Sequence, residues 1–203
     1  MLSKRQQALK RLFDLIFSIA GILIFCVPVI FLVILASFST GRFGIFSQLR
    51  IGQGGKPFVI YKIRTMYAQQ NASPITQFMD PRLTPFGRFL RTTHLDELPQ
   101  LYNILIGTMS FVGPRPDVPG YADKLTGDDR IILSVKPGIT GPATIRFKNE
   151  DRILAVQADP QKYNDTVLWI EKVKINREYV ENWSFLGDLN YIFATIFPKF
   201  DRF

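Results

Sequence analysis

The chain has 203 residues, 47% of them hydrophobic, with 18 Phe and a net charge of +8. That length allows one domain, or one domain plus an anchor, and the single cysteine, Cys26, excludes an internal disulfide framework and suits a reducing compartment. Across residues 1–64, nine basic residues (Lys4, Arg5, Lys10, Arg11, Arg42, Arg50, Lys56, Lys62 and Arg64) face one acid, Asp14, so the whole excess of charge lies there. A basic first third beside a long apolar run points to an anionic membrane surface. Nucleic acid is disfavoured, because no helix-turn-helix or RNP-like signature accompanies the charges.

From Leu12 to Phe38 Asp14 is the only charge, and these 27 residues exceed the roughly 20 that span a bilayer as a helix. The run is longer than the roughly 7–15 apolar residues of a signal peptide. Pro28 sits near its middle, where it removes a helical hydrogen bond. Both flanks are basic, and the positive-inside rule asks both ends to remain cytoplasmic. A helix that enters one leaflet, breaks at Pro28 and returns satisfies both facts; a plain transmembrane helix is the alternative. Asp14 is expected at headgroup depth, paired with Lys10 or Arg11. Residues 1–40 are read as the anchor and 41–203 as a small cytosolic globular domain.

Residues 45–64 predict a β-hairpin, with IFSQLRI and FVIYKIR flanking Gly52-Gln53-Gly54-Gly55. Alternation puts Ile60, Lys62 and Arg64 on one face, where the two cations are either solvated surface or half of an anion site. Residues 68–83 are polar and aperiodic, a loop. A short helix is expected from Thr84-Pro85, with Phe86, Phe89 and Leu90 on its apolar side and Arg88 and Arg91 on the other.

The stretch RTTHLDELPQL, Arg91–Leu101, holds an adjacent carboxylate pair, Asp96 and Glu97. Leu98, Leu101, Tyr102 and Leu105 form one apolar stripe, Gly107 is the stop, and Pro99 is tolerable only in a first turn. The spacing therefore predicts a helix starting at or just before Glu97, with Asp96 at its N-cap. Two readings of Asp96 compete: an ordinary capping aspartate, or a nucleophile beside a bound phosphate with Glu97 holding a metal ion. Arg88 and Arg91 are close enough in sequence to hold the carboxylate ionised.

After this helix, SFVGPRPDVPGY is too rich in Pro and Gly for regular structure. Arg115, between two prolines, is either a surface residue or a pre-set anion binder. VKPGITGPATIRF is a second turn cluster, with Lys136, Gly138 and Gly141 placed for close backbone approach. Two C-terminal helices follow. The first carries Trp169, Val173, Asn176 and Val180 in one stripe, so Asn176 needs a buried partner. The second starts after Ser184, with Leu186, Leu189, Phe193, Ile196, Phe197 and Phe200 on a face that suits core packing or a membrane interface. The whole is an α+β fold, mainly helical. There is no internal repeat, nucleotide-binding glycine loop or Cys/His metal spacing, and His94, the only histidine, is read as a loop residue.

KRLFD at the start of the Pro-broken apolar segment, then IYKIRTM, LDELPQLYNIL, MSFVGPRP, KPGITG and EYVENWSFLGDL in that order, resemble the bacterial sugar transferase family, the monotopic phosphoglycosyl transferases. The resemblance covers about Lys10 to Phe197 and is closest to the minimal catalytic form. It implies transfer of a sugar 1-phosphate from a UDP-sugar to a polyprenol phosphate (undecaprenyl phosphate) at the cytoplasmic face of the bacterial inner membrane, as a first membrane step in making an exopolysaccharide or glycoconjugate. By the same resemblance Asp96 is the nucleophile, forming a phosphosugar–aspartyl intermediate and expelling UMP. Glu97 binds Mg²⁺, and Lys62, Arg64, Arg91 and Arg115 contact phosphates. Membrane lipid is a further partner, and a second copy of the chain is admitted. The chain departs from the family pattern at Val27-Pro28, Thr108, Asn176 and Pro142, none of them in the carboxylate pair. The competing functions are a membrane-anchored scaffold whose arginines bind anionic lipid, and a phosphohydrolase using the same aspartate with water.

Overall fold

The computed structural model describes residues 2–68 and 80–197. Most of the expected loop over 68–83, and Phe200 of the C-terminal stripe, lie outside the described residues. The fold is mostly helical with two small sheets.

Helix α1 (Lys4–Thr40) starts with a Ser3/Gln6 capping box and is continuous through Pro28. It is long and apolar enough to cross a membrane. Around Pro28, Leu23, Ile24, Val27, Ile30 and Phe31 are exposed. The two arms of the helix pack on the rest of the protein: Ile22 against Leu101 and Ile104, and Leu32, Val33 and Ala36 against Ile63 and Leu90. The polar residues of α1 do not form the pair expected at headgroup depth. Asp14 is 2% exposed and accepts from Ser110 Oγ at 3.0 Å and Phe111 N at 3.1 Å. Arg11 donates to the Ile104 and Leu105 carbonyls at 2.6 and 2.7 Å, two of the acceptors that a helix leaves open at its C-terminal end. Lys10 reaches Asp188 at 2.5 Å. These groups pin α1 to the rest of the protein, and partners 90 or more residues away are invisible to local pattern.

Strands β1 (Ile45–Ile51) and β2 (Pro57–Ile63) form the expected antiparallel hairpin, in register Ile45↔Ile63 to Ile51↔Pro57. Helix α2 (Pro85–Thr92) is capped by Thr84, whose hydroxyl accepts from Gly87 N at 2.8 Å. A Cβ on Gly87 would lie 1.9 Å from the Thr65 carbonyl oxygen, so only glycine lets α2 rest directly on the strand exit. Helix α3 (Gln100–Ile106) ends at Gly107, φ 85°.

The Pro/Gly-rich stretches are more regular than their composition predicts. Strand β3 (Ser110–Val112) pairs in parallel with β4 (Gly138–Thr140). Glycine makes this possible through close backbone approach: a Cβ on Gly138 would sit 2.2 Å from Gly113 N, and one on Gly141 2.5 Å from Gly113 O. Both Gly138 and Gly141 thus do what their sequence position suggests. Short helices α4 (Pro142–Arg146), α5 (Glu150–Ala155) and α6 (Pro160–Tyr163) lead through a π-turn at Asn164–Leu168 into α7 (Trp169–Glu181) and α8 (Phe185–Ile196). Asn176 is buried as its stripe requires, yet its Oδ1 has no hydrogen-bond partner. Ser184 caps α8 as expected. On α8 Leu186, Leu189, Phe193, Ile196 and Phe197 are exposed, so this face is not core.

Candidate active site

Asp96 and Glu97 lie in a 3₁₀ turn, Leu95–Glu97, ahead of α3. The expected N-cap geometry is absent, since Pro99 has no N–H to close an α-helical bond to Leu95 and the chain makes i→i+3 bonds instead (Glu97 N to His94 O 3.2 Å, Leu98 N to Leu95 O 3.3 Å). His94, with φ 56°, turns the chain from α2 into this segment. Both carboxylates are buried, at 6% and 9% exposure.

Three elements deliver cations. Fully buried Asn103 on α3 clamps β2, donating to Val59 O at 2.7 Å and accepting from Tyr61 N at 3.3 Å. That fixes Lys62, whose Nζ donates to Glu97 Oε1 at 2.7 Å. Arg115, between Pro114 and Pro116, donates to the same oxygen through Nη2 and to the Ile139 carbonyl at 3.3 Å through Nη1. Arg91, near the end of α2, is steadied by Thr65 Oγ1 at 3.1 Å and acts electrostatically on Asp96. Arg64 is not brought to the pair. It follows the last residue of β2, and its guanidinium turns to the Phe43 and Ile45 carbonyls (2.9 and 3.2 Å) and the Phe46 ring.

The two carboxylates differ in state. Burial opposes the charge of Glu97, but Arg115 and Lys62 outweigh it and hold its carboxyl well below the usual range. Asp96 goes the other way: burial, with Glu97 adding, pushes its carboxyl up against Lys62, Arg91 and Arg115. Arg91 pulls the Asp96 carboxyl down, as the sequence suggests, but burial outweighs it. Among the described residues no side chain or backbone group donates a hydrogen bond to Asp96.

A second rank of charge was missed. Arg50 on β1 donates to Gln48 Oε1 and to Pro116 O, and Lys172 on α7 pairs with Glu150 at 2.6 Å. Asp117 stands near Lys172, Arg50 and Arg115, and burial pushes its carboxyl up to about 6. Asp117 directly follows Arg115-Pro116, which was the available signal; Arg50, Glu150 and Lys172 had none. Asn103, a polar residue inside an apolar helix, was legible in principle.

Among the described residues no three His, Cys, Asp or Glu converge as a metal cage. Glu97 Oε1 carries both cations, leaving its Oε2 and the Asp96 carboxylate as donors. Mg²⁺ accepts one or two carboxylates when phosphate oxygens and waters complete its shell. The pair fits a cation shared with a diphosphate.

Comparison with known proteins bears on this geometry. The family model described as bacterial sugar transferase matches residues 5–202. The chain is 36% identical over 188 residues to the uncharacterized sugar transferase EpsL of Bacillus subtilis (strain 168), covering 93% of this chain and 85% of that protein. It is 37% identical over 207 residues to the UDP-glucose:undecaprenyl-phosphate glucose-1-phosphate transferase of Escherichia coli (strain K12), covering 98% of this chain and 42% of that one. A putative undecaprenyl-phosphate N-acetylgalactosaminyl 1-phosphate transferase of B. subtilis (strain 168) is 40% identical over 126 residues, 61% of this chain and 70% of its own length. The chain thus spans most of EpsL but about two-fifths of the E. coli enzyme. With its buried carboxylate pair ringed by cations and a family match running over nearly its whole length, the chain belongs to the bacterial sugar transferases, a family of enzymes.

Proposed function

We propose that this chain transfers a sugar 1-phosphate from a UDP-sugar to a polyprenol phosphate, undecaprenyl phosphate by analogy with the named activities of its relatives. The observation that carries the reading is the contrast within the dyad: Glu97 is tied to two cations, while Asp96 is buried, unpartnered and raised in pKa. A carboxylate in that state keeps its electron pairs available, and a raised pKa strengthens it as a nucleophile.

In the first step an Asp96 oxygen bonds to the phosphorus that carries the sugar. The bond from that phosphorus to the bridging oxygen breaks, and UMP leaves with the electron pair. In the second step a phosphate oxygen of the polyprenol bonds to the same phosphorus and the acyl–phosphate bond breaks, regenerating the carboxylate. Neither step needs a net proton. Both push anions together, and Lys62, Arg91 and Arg115 lower that repulsion around a buried carboxylate pair. Glu97, through the oxygen its cations leave open, would hold Mg²⁺, which when bound neutralises diphosphate charge.

The arms of α1 on either side of Pro28 pack against the rest of the protein, and exposed apolar residues run along the helix from Leu9 to Phe38. This supports a re-entrant anchor with both ends on the cytoplasmic side of the inner membrane. The exposed stripe of α8 supports contact with the same interface.

Purified protein incubated with a UDP-sugar alone, then digested and weighed, should show a phosphosugar adduct on the peptide carrying Asp96 and release UMP. Adding polyprenol phosphate should discharge it. Turnover without polyprenol would favour the hydrolase, and membrane binding with no UMP release the scaffold.

A further inference from the structure

Two cations from distant parts of the chain meet at the C-terminal end of α3, away from the dyad. A Cβ on Gly107 would stand 3.2 Å from Lys136 Nζ and 3.3 Å from Arg11 Nη2, so both heads crowd the space that this glycine leaves open. Arg11 is held there by its bonds to the Ile104 and Leu105 carbonyls. Lys136 lies just ahead of β4, and the next residue, Pro137, is fixed where its carbonyl accepts from Ser110 N at 2.9 Å. Burial and Arg11 both push the Lys136 ammonium below its ordinary value, with Asp14 opposing.

The acids nearby do not balance this pair. Asp14 is buried and its Oδ1 accepts from Ser110 Oγ and Phe111 N, while Lys10 is taken up by Asp188. Lys10, Arg11 and Lys136 thus stand against Asp14 and Asp188, a surplus of one positive charge. The surroundings are apolar and open: Leu9 and Leu12 lie on either side of Arg11 in the chain, Ile106 precedes Gly107, and all three are exposed. A phosphodiester carries one negative charge and two unesterified oxygens, one for a guanidinium and one for an ammonium. The seven residues of α3, about 10 Å of helix, separate this place from Asp96, so a phosphate held here is not the one attacked.

We propose that Arg11 and Lys136 hold the phosphodiester headgroup of an anionic membrane phospholipid, at a site separate from the dyad. The headgroup relieves the repulsion between the two cations and sets the depth of α1 where its exposed apolar surface begins. This rests on the membrane contact of α1 in the proposed function and not on the transfer reaction.

The test is lipid binding to the full-length chain in a neutral detergent, read as Kd by native mass spectrometry. Short-chain phosphatidylglycerol, diacylglycerol and polyprenol phosphate serve as probes. Lys136→Gln removes one cation and leaves the Arg11 carbonyl contacts in place; Lys136→Arg keeps the charge. Arg5→Gln removes an exposed cation earlier on α1. Wild type should bind phosphatidylglycerol about tenfold more tightly than diacylglycerol. Lys136→Gln should lose about that factor and Lys136→Arg should retain most of it, while Arg5→Gln should shift Kd by less than about twofold. An equal loss in Arg5→Gln, the mark of diffuse surface attraction, overturns the proposal, as does equal binding of the two lipids by wild type. Tighter binding of polyprenol phosphate than of phosphatidylglycerol, lost in Lys136→Gln, assigns the pair to the acceptor and overturns it too. Flotation with phosphatidylcholine vesicles is scored separately: a wild-type chain that stays behind sinks the membrane reading, while the detergent titration still decides the cation pair.

Discussion

Two buried acid–cation clusters in this protein look alike in composition and differ in one respect. At the junction of α1, α7 and α8, the Asp188 carboxylate accepts from Lys10 Nζ at 2.5 Å and Trp183 Nε1 at 3.0 Å on one oxygen, and from Tyr179 OH at 2.8 Å on the other. Both carboxylate oxygens are used there, and three helices are tied together. At the dyad, Glu97 takes two cations on a single oxygen, while among the described residues nothing donates to the Asp96 or Asp117 carboxylates. A satisfied buried network fixes a fold. A network with free acceptors is less favourable for the folded state, and is the arrangement expected where a ligand completes it.

If that division is right, damage at the dyad should remove chemistry and spare the fold. Asp96→Asn should cut UMP release by about a thousandfold or more, with the thermal transition unchanged or raised, because the change removes a nucleophile and a carboxyl already strained by burial. A variant that keeps a tenth of wild-type turnover would end the nucleophile assignment.

The opposite signature is expected at Asp188. Asp188→Ala leaves the Lys10 ammonium buried without its partner, a change that typically destabilises by about 3–5 kcal/mol. Denaturant or thermal unfolding should register most of that loss. Turnover per folded molecule should fall by less than about tenfold, since the site lies in other elements. Equal loss of activity at unchanged stability would show that the two clusters are not separable.

A smaller effect sharpens the comparison inside the site. Arg115 bridges Glu97 and the Ile139 carbonyl with separate guanidinium nitrogens. Lysine is a point charge without the planar fork that spans the two acceptors. Arg115→Lys should lower kcat/KM for donor by roughly 10–100-fold, with the Glu97 carboxyl rising toward its ordinary range.

How much of this was legible beforehand follows the range of each interaction. The hairpin, the caps of α2 and α8, and the tight approach at Gly138 and Gly141 depend on residues close in sequence or on a property of glycine itself. The dyad was visible as an adjacent pair, but its backbone was not, because the effect of Pro99 on the turn depends on how α2 delivers the chain through His94. Strand β3 was hidden because its partner β4 lies 28 residues on and each contributes only three residues. Arg64 misled through strand alternation: the face it shares with Lys62 holds only while the strand continues, and β2 ends at Ile63. The second rank around Asp117 joins β1, the Arg115 loop, α5 and α7, which no single stretch of sequence displays.

The smallest effect is also the one whose sign is least intuitive. Burial raises the Asp117 carboxyl to about 6, with Glu150 adding and Lys172, Arg50 and Arg115 opposing, against an ordinary value near 3.9. Between those values the folded protein binds more protons at this group than the unfolded chain does. Stability contributed by Asp117 is therefore greatest in acid, falls as pH rises through about 4 to 6, and stays at its lowest above that. Asparagine has no such slope. Asp117→Asn should match or trail wild type near pH 4.5 and exceed it at pH 7.5, by roughly 3–6 °C in Tm for a chain of this length. A melting-temperature difference that does not change between the two pH values would mean that the Asp117 carboxylate is satisfied in the folded protein, and the contrast with Asp188 would then not extend to it.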